Sequence, residues 1–412
     1  MLLGARDFYV QIGSDMSDEI RFGTRAVHAG EQEGDGAKGH WGHALTVPIA
    51  QTSTYVFEDM QAVDDFVAGR SARLDYGRYG NPTQHIAEKK LAALEGAEAA
   101  ILFASGMAAV TTTLLGMLRS GQHAVIMDDC YRKTAQFCNM VLKKFDIGTT
   151  FVHAGDYDQL QRAIQENTRI IVSESPTNPH LNVVDLDAIV ALAKQNRLKV
   201  VIDSTFATPL NQRPLEFGVD LVIHSATKYL GGHNDLMAGV VLGDEPLVSA
   251  IKDYRGILGG VLDPHCAYLL IRGLKTFPLR MARQNESAFA MARFLETHPK
   301  IKQVYYPGLA SHPHHEIACA QMTGFGGVVS FEVDTDLDGT MRFLDGLRLP
   351  CIGASFGGVE SIVSHPSTIS YYELDREDRI AIGIADELVR YSVGVEDAED
   401  LIADLEHALA VI

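Results

Sequence analysis

The sequence has 412 residues, 46% of them hydrophobic, and a formal net charge of −18 at pH 7. This length and composition suffice for a large globular domain with a smaller one beside it. The negative charge argues against nucleic acid and anionic membranes as partners, and no run of basic residues contradicts it. High solubility is the simplest explanation of the charge.

The cysteines and the N-terminal residues indicate the cellular compartment of the protein. The five cysteines are scattered, without a Cys-x-x-Cys pair or the His–Cys spacing of a metal site. We therefore expect no metal ion and a cytoplasmic location, where thiols stay reduced. No apolar run is long enough to cross a membrane, and the first residues carry acids, unlike a targeting peptide. Met16 is an alternative start, with the first fifteen residues as an extension.

Residues 1–60 predict an extended arm, because scattered glycines and Pro48 leave no sustained periodicity. The segment 75–83 that follows is a loop ending in a helix N-cap. Its Tyr76 and Arg78 lie two positions apart on extended chain, so both can reach a phosphate. A solvated turn explains the same residues, and on this segment alone it is the favoured interpretation.

From about residue 97 strands and helices alternate, which predicts a mostly parallel, doubly wound sheet. A predicted strand over 100–103 is followed by Ser105, Gly106 and Met107 at the start of a helix. Backbone N–H groups at a helix N-terminus bind phosphate, and glycine lets the backbone come close. We predict a phosphate site here, although a helix of small residues packed on the sheet is compatible with the same pattern.

The next two predicted strands end in polar side chains at the same edge of the sheet. One leads to Tyr131, followed by Arg132 and Lys133, and the other leads to a turn that contains Asn178. A tyrosine there can stack on a flat cofactor ring, and an asparagine can bind the ring hydroxyl or a substrate carboxylate. A core or rim tyrosine and a turn asparagine before proline are the commoner alternatives.

An aspartate and a lysine flank one predicted strand–helix–strand unit. Asp203 ends an apolar strand, and Lys228 follows the apolar run 221–223 in a segment of hydroxyls and paired glycines. A buried lysine is unfavourable unless it is paired, shifted in pKa or covalently bound. A Schiff base with pyridoxal phosphate (PLP) fits, with the Ser225 and Thr227 hydroxyls beside it for the phosphate.

The alternatives to this interpretation are an exposed loop lysine and a turn-forming aspartate. On the segment around Lys228 alone, the loop lysine is an equally good explanation. A carboxylate such as Asp203, however, keeps the pyridine nitrogen of PLP protonated, which is what lets the ring withdraw electrons. The two residues together therefore favour a PLP site.

The C-terminal part begins with a long helical segment that we expect Gly273 and Pro278 to interrupt. A strand over 328–333 and a closing helix after Glu396 follow. The predicted strand 388–394 carries Arg390 in an otherwise apolar pattern. A guanidinium fork suits the α-carboxylate of an amino acid, but a structural ion pair is an equally good alternative.

These elements predict an α/β protein in three segments. The arm covers residues 1–60, a large PLP-binding domain covers 61–264, and a smaller C-terminal α/β domain covers 265–412.

Five segments of the sequence resemble the Cys/Met-metabolism family of PLP-dependent enzymes, and the resemblance extends from about Arg21 to the C-terminus. These segments are YGRYGNPT (76–83), ASGMAA (104–109), ESPTNP (174–179), DSTFATP (203–209) and HSATKYLGGH (224–233). Within the family, four further segments are most similar to the plant-type cystathionine γ-synthase branch, namely 128–134, 305–309, 322–327 and 355–363.

The resemblance implies the aspartate-aminotransferase-like fold, called fold type I, and a role for each matching residue. Lys228 would carry PLP, Asp203 would pair with its ring nitrogen, and Tyr131 would stack on the ring. Arg390 would bind the substrate carboxylate, with Ser355 and Glu360 at the distal end of the pocket. The phosphate would be bound by Ser105, Gly106, Met107, Ser225 and Thr227, joined by Tyr76 and Arg78 of a neighbouring subunit.

A homotetramer built from catalytic dimers is the assembly that the resemblance implies. Two positions depart from the family. Ser204 stands where many relatives have asparagine, which we expect to matter little, and residues 367–370 lack a histidine found in much of the family. The second departure leaves the fine substrate specificity open.

The expected reaction is replacement of the γ-substituent of an O-activated homoserine by cysteine, which gives cystathionine. Two alternatives stay open. One is a γ-lyase or hydrolytic γ-substitution on another amino acid with a γ-heteroatom, such as cystathionine, methionine or canavanine. The other is a PLP-binding regulator without turnover, although this acidic chain has no basic segment for a DNA-binding module.

The sequence carries two opposite signals about the charge of the leaving group. Arg132 and Lys133 favour an anionic γ-substituent such as phosphate or succinate. Glu360 suits a cation instead, either the ammonium group of the incoming cysteine or a cationic γ-substituent. Two solvated cations and a structural glutamate explain the same residues. We expect the anionic leaving group, with Lys133 contributing to substrate binding.

Overall fold

A computed structural model describes residues 20–31 and 43–412, so the alternative start at Met16 lies outside the described residues. The helices of the described part are α1 (Phe22–His28), α2 (Met60–Val67), α3 (Pro82–Glu95), α4 (Gly106–Met117), α5 (Arg132–Met140), α6 (Tyr157–Ala163), α7 (Leu186–Asn196), α8 (Thr208–Asn211), α9 (Glu245–Leu258), α10 (Pro264–Thr297), α11 (His315–Gln321), α12 (Leu337–Gly346), α13 (Pro366–Ile369), α14 (Arg376–Ala381) and α15 (Ala398–Leu409). Its strands are β1 (Ala99–Phe103), β2 (His123–Met127), β3 (Gly148–Val152), β4 (Thr168–Glu174), β5 (Lys199–Asp203), β6 (Leu221–His224), β7 (Gly239–Gly243), β8 (Ile301–Tyr305), β9 (Val328–Val333), β10 (Cys351–Ile352), β11 (Ile362–Ser364) and β12 (Leu388–Ser392).

The larger sheet has seven strands in the order β1-β7-β6-β5-β4-β2-β3. Strands β3, β2, β4, β5 and β6 are parallel, whereas β7 runs antiparallel to both of its neighbours. Its central strands are continuous apolar runs because helices cover both faces of the sheet, as is usual in parallel sheets. The predicted mostly parallel α/β sheet is confirmed.

Three of the parallel strands end in ionisable side chains at one edge of this sheet. Glu174 ends β4, Asp203 ends β5 and His224 ends β6. In the strand register Glu174 lies opposite Asp203, and Asp203 lies opposite Ile223. The carboxyl ends of neighbouring parallel strands meet at this edge, so the turn that contains Lys228 begins beside Asp203.

Helix N-caps fix where the helices start along this edge. Asn81 accepts a hydrogen bond from the backbone N–H of Thr83 at 2.9 Å, and Pro82 occupies the first turn of α3. Ser105 accepts in the same way from Ala108 at 3.1 Å and begins α4. Both starts agree with the sequence-based predictions.

The smaller sheet has five strands in the order β10-β11-β12-β9-β8. Strand β12 lies in its middle, antiparallel to β11 and β9, and it carries Arg390 opposite Ser330 and Ser364. Phe331, Phe343 and Tyr391 lie in the core between this sheet and its helices. Strands β9 and β12 and the closing helix α15 confirm the predicted elements.

The predicted interruption of the long helix is wrong, because α10 runs continuously through Gly273 and Pro278. Pro278 removes the backbone donor for the carbonyl of Leu274, but side-chain contacts with the turn around Tyr229 support the helix at this point. Arg280 donates to the carbonyl of Gly273 at 2.9 Å and to that of Tyr229 at 2.8 Å. The absence of a side chain at Gly273 also lets the carbonyl of Gly231 pack directly against the helix. Tertiary packing therefore overrides the local breaking tendency.

Helix α1 lies within the segment predicted as an extended arm. It packs on α3 and α10 because the buried Lys90 donates to the carbonyls of Ala26 at 3.0 Å and Val27 at 2.9 Å. The Lys90 amine also pairs with Glu31 at 3.0 Å.

The predicted domain boundaries stay predictions. Within the described residues, no helix combines the length and apolar character needed to span a membrane.

Replacing Gly232 by alanine should destabilise the protein strongly. Its φ is +75°, and a Cβ would lie 1.9 Å from the Nη1 of Arg280, which links two carbonyls. We expect a loss of about 3 kcal/mol in the free energy of unfolding, measured by urea denaturation. Gly121→Ala is the matched control, since φ is +78° there and nothing lies within 4 Å of the added Cβ. Its expected loss is about 1 kcal/mol, and equal losses in both variants would contradict the explanation.

Candidate active site

Lys228 lies at the edge of the larger sheet, in the turn after β6, and is largely buried. Its Nζ donates a hydrogen bond to the Ser355 hydroxyl at 2.8 Å and lies 4.9 Å from the centre of the Phe356 ring. Burial and the nearby positive charge of Arg390 lower the pKa of Lys228 to about 8. About one tenth of the amine is therefore uncharged at pH 7, far more than in an ordinary lysine, which suits a nucleophile or a general base.

Asp203 faces this lysine turn from the end of β5. Its Oδ1 accepts hydrogen bonds from the backbone N–H of Thr205 at 3.0 Å and from the Thr205 hydroxyl. The same hydroxyl accepts from the Ser225 N–H at 2.8 Å, which joins the two strand ends. Burial raises the pKa of Asp203, and the Thr205 bonds oppose that rise. No donor among the described residues reaches Oδ2, so this oxygen is available to a ligand.

Glu174 is a second buried carboxyl group beside Asp203. Burial and the charge of Asp203 raise the pKa of Glu174 well above the usual value for a glutamate. Its Oε2 accepts the backbone N–H of Tyr131 at 2.8 Å. Glu174 thereby fixes the start of the loop that carries Tyr131, whose ring remains 45% exposed at the site.

The predicted phosphate residues come together between α4 and the lysine turn. Gly106 packs so closely on Ser225 that an added Cβ would lie 2.9 Å from the Ser225 Cβ. The Ser105 hydroxyl caps α4, and the Thr227 hydroxyl bonds both backbone groups of Ala238 at 3.1 and 2.9 Å. The N–H groups of Gly106 and Met107, at the first turn of α4, are left for an anion.

Arg390, on β12 of the smaller sheet, reaches Ser355, the residue that Lys228 also contacts. Its Nη1 donates to the Asn178 side-chain oxygen at 3.1 Å, and its Nη2 donates to the Ser355 carbonyl at 3.3 Å. Its buried Nε has no partner among the described residues. Burial lowers the pKa of Arg390, but an arginine side chain still stays charged. The geometry suits a guanidinium that receives a carboxylate.

Lys133 and Arg132 stand apart from this group. Arg132 donates to Glu373 at 2.9 Å, whereas Lys133 is half-exposed and donates to Gln136 at 2.8 Å. Glu360 is exposed too, and it accepts from Asn234 at 2.8 Å. The structure thus shows other partners for all three side chains, and their proposed substrate contacts stay predictions.

Tyr76 and Arg78 also lie away from Lys228 in their own chain. Arg78 donates to the Gly256 carbonyl at 3.0 Å and to the Tyr79 hydroxyl at 3.2 Å, and the Tyr76 ring is exposed. Within one chain these residues therefore make no contact with the predicted phosphate site.

Sequence reasoning assigned no role to four residues at the site, namely Glu174, Thr205, Phe356 and Tyr371. Glu174 ends a strand as Asp203 does, and that parallel was the available signal. Phe356 follows Ser355, and its ring stacks on Phe206 with centroids 4.3 Å apart. No signal in the sequence pointed to Tyr371.

The comparisons with known proteins identify the class of enzyme. The sequence pattern of the family described as "Cys/Met metabolism PLP-dependent enzyme" matches residues 23–410. The chain belongs to this family. It is accordingly a PLP-dependent enzyme of the γ-synthase and γ-lyase class, and its cofactor is pyridoxal 5'-phosphate.

Three relatives illustrate the similarity. Cystathionine gamma-synthase 1, chloroplastic, of Arabidopsis thaliana is 50% identical over 391 residues, which are 95% of this chain and 69% of the relative. The crystal structure of metB from Corynebacterium glutamicum has a TM-score of 0.88 and 35% identity, covering 96% of this chain and all of that one. The crystal structure of cystathionine gamma-lyase from Lactobacillus plantarum complexed with L-serine has a TM-score of 0.87 and 36% identity, covering 95% and 99% of the two chains. The predicted fold type I architecture is confirmed, whereas the cytoplasmic location stays a prediction.

The residues of this chain fit PLP. The open Oδ2 of Asp203 can pair with the ring nitrogen, and Lys228 can hold the aldehyde carbon. The phosphate can bind at the free N–H groups of Gly106 and Met107, where a side chain at position 106 would fill the space. Tyr131 can cover the ring from its exposed position.

The low pKa of Lys228 can be tested by chemical labelling of the cofactor-free protein. The amine reacts only when deprotonated, so its acylation by acetic anhydride should rise with a midpoint near pH 8. Lys302, whose pKa is raised by its bond to Glu332, is the internal control and should react at much higher pH. Peptide mass spectrometry measures both sites at once.

In the same experiment, Arg390→Met should move the Lys228 midpoint upward, because it removes a neighbouring positive charge. A midpoint for Lys228 in the range of an ordinary lysine would contradict the buried environment described above.

Proposed function

We propose that this enzyme catalyses γ-replacement of an O-activated homoserine with cysteine, which yields cystathionine. One observation carries the proposal: Ser355 accepts from Lys228 with its hydroxyl and from Arg390 with its carbonyl. Ser355 therefore holds the base, Lys228, and the carboxylate receptor, Arg390, close to each other, as an amino-acid substrate requires. The similarity to a plant cystathionine gamma-synthase supports the synthase over a lyase.

Each residue has a distinct part in this reaction. Bound PLP supplies the electron withdrawal that makes the α-hydrogen of the substrate acidic. Arg390 holds the α-carboxylate, and its bond to Asn178 orients the guanidinium. The Lys228 amine takes the α-proton and moves protons between carbons, for which a pKa near neutrality is suitable. Loss of the α- and β-protons expels the γ-substituent with its bonding electrons. The cysteine sulfur then forms a bond to the γ-carbon as the thiol gives up its proton, and protons return to the β- and α-carbons to give cystathionine.

A γ-lyase is the second candidate, and two observations favour it. The solved cystathionine gamma-lyase shares the fold at 36% identity. In addition, Glu373 lies 2.9 Å from Arg132 and 4.0 Å from Lys133, so these cations are already partly balanced within the chain. A neutral or cationic γ-substituent would then be accepted without the help of a cation.

Product analysis distinguishes the two candidates. The purified enzyme is incubated with O-phospho-, O-succinyl- and O-acetylhomoserine, and with cystathionine, methionine and canavanine, each with and without cysteine. We expect cystathionine from at least one homoserine ester when cysteine is present, detected by mass spectrometry. Without cysteine the expected products are an oxoacid and ammonia, or homoserine if water replaces the substituent.

Lys228→Ala is the control in this assay and should form no product, because both the cofactor anchor and the base are missing. Efficient turnover of cystathionine, methionine or canavanine, with no turnover of the three homoserine esters, would replace the synthase proposal by the lyase.

We further propose that the active enzyme is a homotetramer of catalytic dimers in which Tyr76 and Arg78 complete the phosphate site of the neighbouring subunit. Two observations support this assembly. In its own chain the Arg78 side chain contacts the Gly256 carbonyl of α9 and the rings of Tyr76 and Tyr79, and the Tyr76 ring is exposed. The first turn of α4 also offers uncharged donors to a phosphate, the backbone N–H groups of Gly106 and Met107, and Arg78 can add a cation.

Subunit mixing tests the shared site. Arg78→Ala and Lys228→Ala should each be nearly inactive alone, but half of the dimers in an equal mixture are hybrids with one complete site. Activity should recover to about one quarter of the wild-type value, since one site in four is then intact. Mixing Arg78→Ala with the Arg78→Ala/Lys228→Ala double variant is the matched control, because no hybrid has a complete site. No recovery, after mass spectrometry has shown subunit exchange, would refute the shared site.

A further inference from the structure

Residues 370–374 follow α13 in the C-terminal part and lie against α5, the helix after strand β2 of the larger sheet. We call these residues the crossing segment. Its Glu373 accepts hydrogen bonds through Oε2 from Arg132 at 2.9 Å and from Gln136 at 2.7 Å. The other oxygen, Oε1, lies 4.0 Å from the amine of Lys133. One carboxylate thus faces both cations that follow Tyr131.

The crossing segment also approaches the active-site residues through Tyr371. The Arg132 guanidinium lies 5.3 Å from the centre of the Tyr371 ring. Burial raises the pKa of the Tyr371 hydroxyl, and the nearby charge of Glu174 adds to that rise. Tyr371 also lies near enough to Arg390 to oppose the lowering of the Arg390 pKa. Glu373 is therefore two residues from a side chain at the carboxylate-binding end of the site.

The charges around Glu373 are unequal. Two cations, Arg132 and Lys133, face the single carboxylate of Glu373, and the bonds from Arg132 and Gln136 lower the pKa of Glu373 so that it is ionised at neutral pH. The Glu373 side chain is 38% exposed, and that of Lys133 is 52% exposed. Glu373 can thus move into solvent without opening the core.

An incoming anion would compete with Glu373 for the same donors. A phosphate ester carries more negative charge than one carboxylate and offers three acceptor oxygens to a guanidinium fork. A neutral acetyl ester offers no such replacement. Arg132, Lys133 and Glu373 can therefore distinguish substrates by the charge of the γ-substituent rather than by its size.

We propose that Glu373 is a specificity-determining residue that occupies Arg132 and Lys133 until an anionic γ-substituent displaces it. This inference rests on the proposed function, because it concerns the γ-substituent of the same substrate. Glu373 raises the KM for anionic substrates relative to neutral ones, and it keeps the two cations balanced when no such substrate is bound.

Glu373→Gln tests the proposal, because glutamine keeps the size and one acceptor oxygen but removes the charge. The KM for O-phosphohomoserine should fall by about threefold to tenfold, while the KM for O-acetylhomoserine and both kcat values change by less than about twofold. Glu377→Gln is the matched control. It removes the same charge from the adjacent helix α14, where the Glu377 side chain is exposed and has no hydrogen bond or ion pair with the described residues.

A structural role for Glu373 predicts a different result. If the carboxylate merely fastens the crossing segment to α5, its loss would raise the KM for both esters or lower kcat for both. Either outcome overturns the proposal, and so does an unchanged ratio of the two KM values.

Binding of inorganic phosphate to the holoenzyme gives a readout without turnover. In calorimetric titrations Glu373→Gln should bind phosphate at least about threefold more tightly than the wild-type and Glu377→Gln proteins do. Equal affinities, or no measurable binding by Glu373→Gln, would overturn the proposal. If no homoserine ester reacts with the wild-type enzyme, the proposed function fails, whereas the titration still decides the role of Glu373.

Discussion

Two positive charges lie close together in the buried part of the active site, and the rest of the site is arranged around this repulsion. Among the described residues, Arg390 donates hydrogen bonds to the neutral groups of Asn178 and Ser355, and Lys228 donates to the Ser355 hydroxyl. Buried cations without a carboxylate partner are unfavourable. The Lys228 amine relieves part of that penalty by releasing its proton more readily. The carboxylate of an amino-acid substrate would relieve the remaining penalty at Arg390.

This arrangement depends on how the two sheets meet. Arg390 projects from the smaller sheet, whereas Asn178 follows a strand of the larger one. The Ser330 hydroxyl donates to the carbonyl of Pro179 at 2.7 Å, directly beside Asn178. On the same segment the ring of His180 lies 3.5 Å from Asp129 and 3.1 Å from the carbonyl of Gly383. The junction of the sheets therefore positions the guanidinium relative to the lysine.

The sequence predicted those features that depend on local pattern. Apolar runs gave the strands, and the residues that end them placed Asp203 and Lys228 at one edge, because the carboxyl ends of parallel strands meet. The resemblance of particular segments added the roles of Tyr131, Arg390 and the phosphate residues. Helix α10 was predicted with a break because Gly273 and Pro278 are poor helix formers, and the contacts of Arg280 that hold the helix together come from tertiary packing.

Features that depend on distant pairing could not be predicted. Glu373 lies more than two hundred positions from Arg132, so nothing in the local sequence indicated that the cations already have a counterion. The raised pKa of Glu174 similarly depends on Asp203 in the neighbouring strand. The contact of Arg78 with the Gly256 carbonyl also joins segments far apart in the chain.

The double role of Ser355 has a consequence for stereochemistry. Its hydroxyl and its carbonyl belong to one residue, so the Lys228 amine and the Arg390 guanidinium are held at a fixed separation. The carboxylate on the guanidinium and the hydrogen facing the amine fix two substituents of the α-carbon, and the amino nitrogen, once bonded to the cofactor, would fix the third. Handedness at the α-carbon would then follow from these three points, two of which a single serine holds in place.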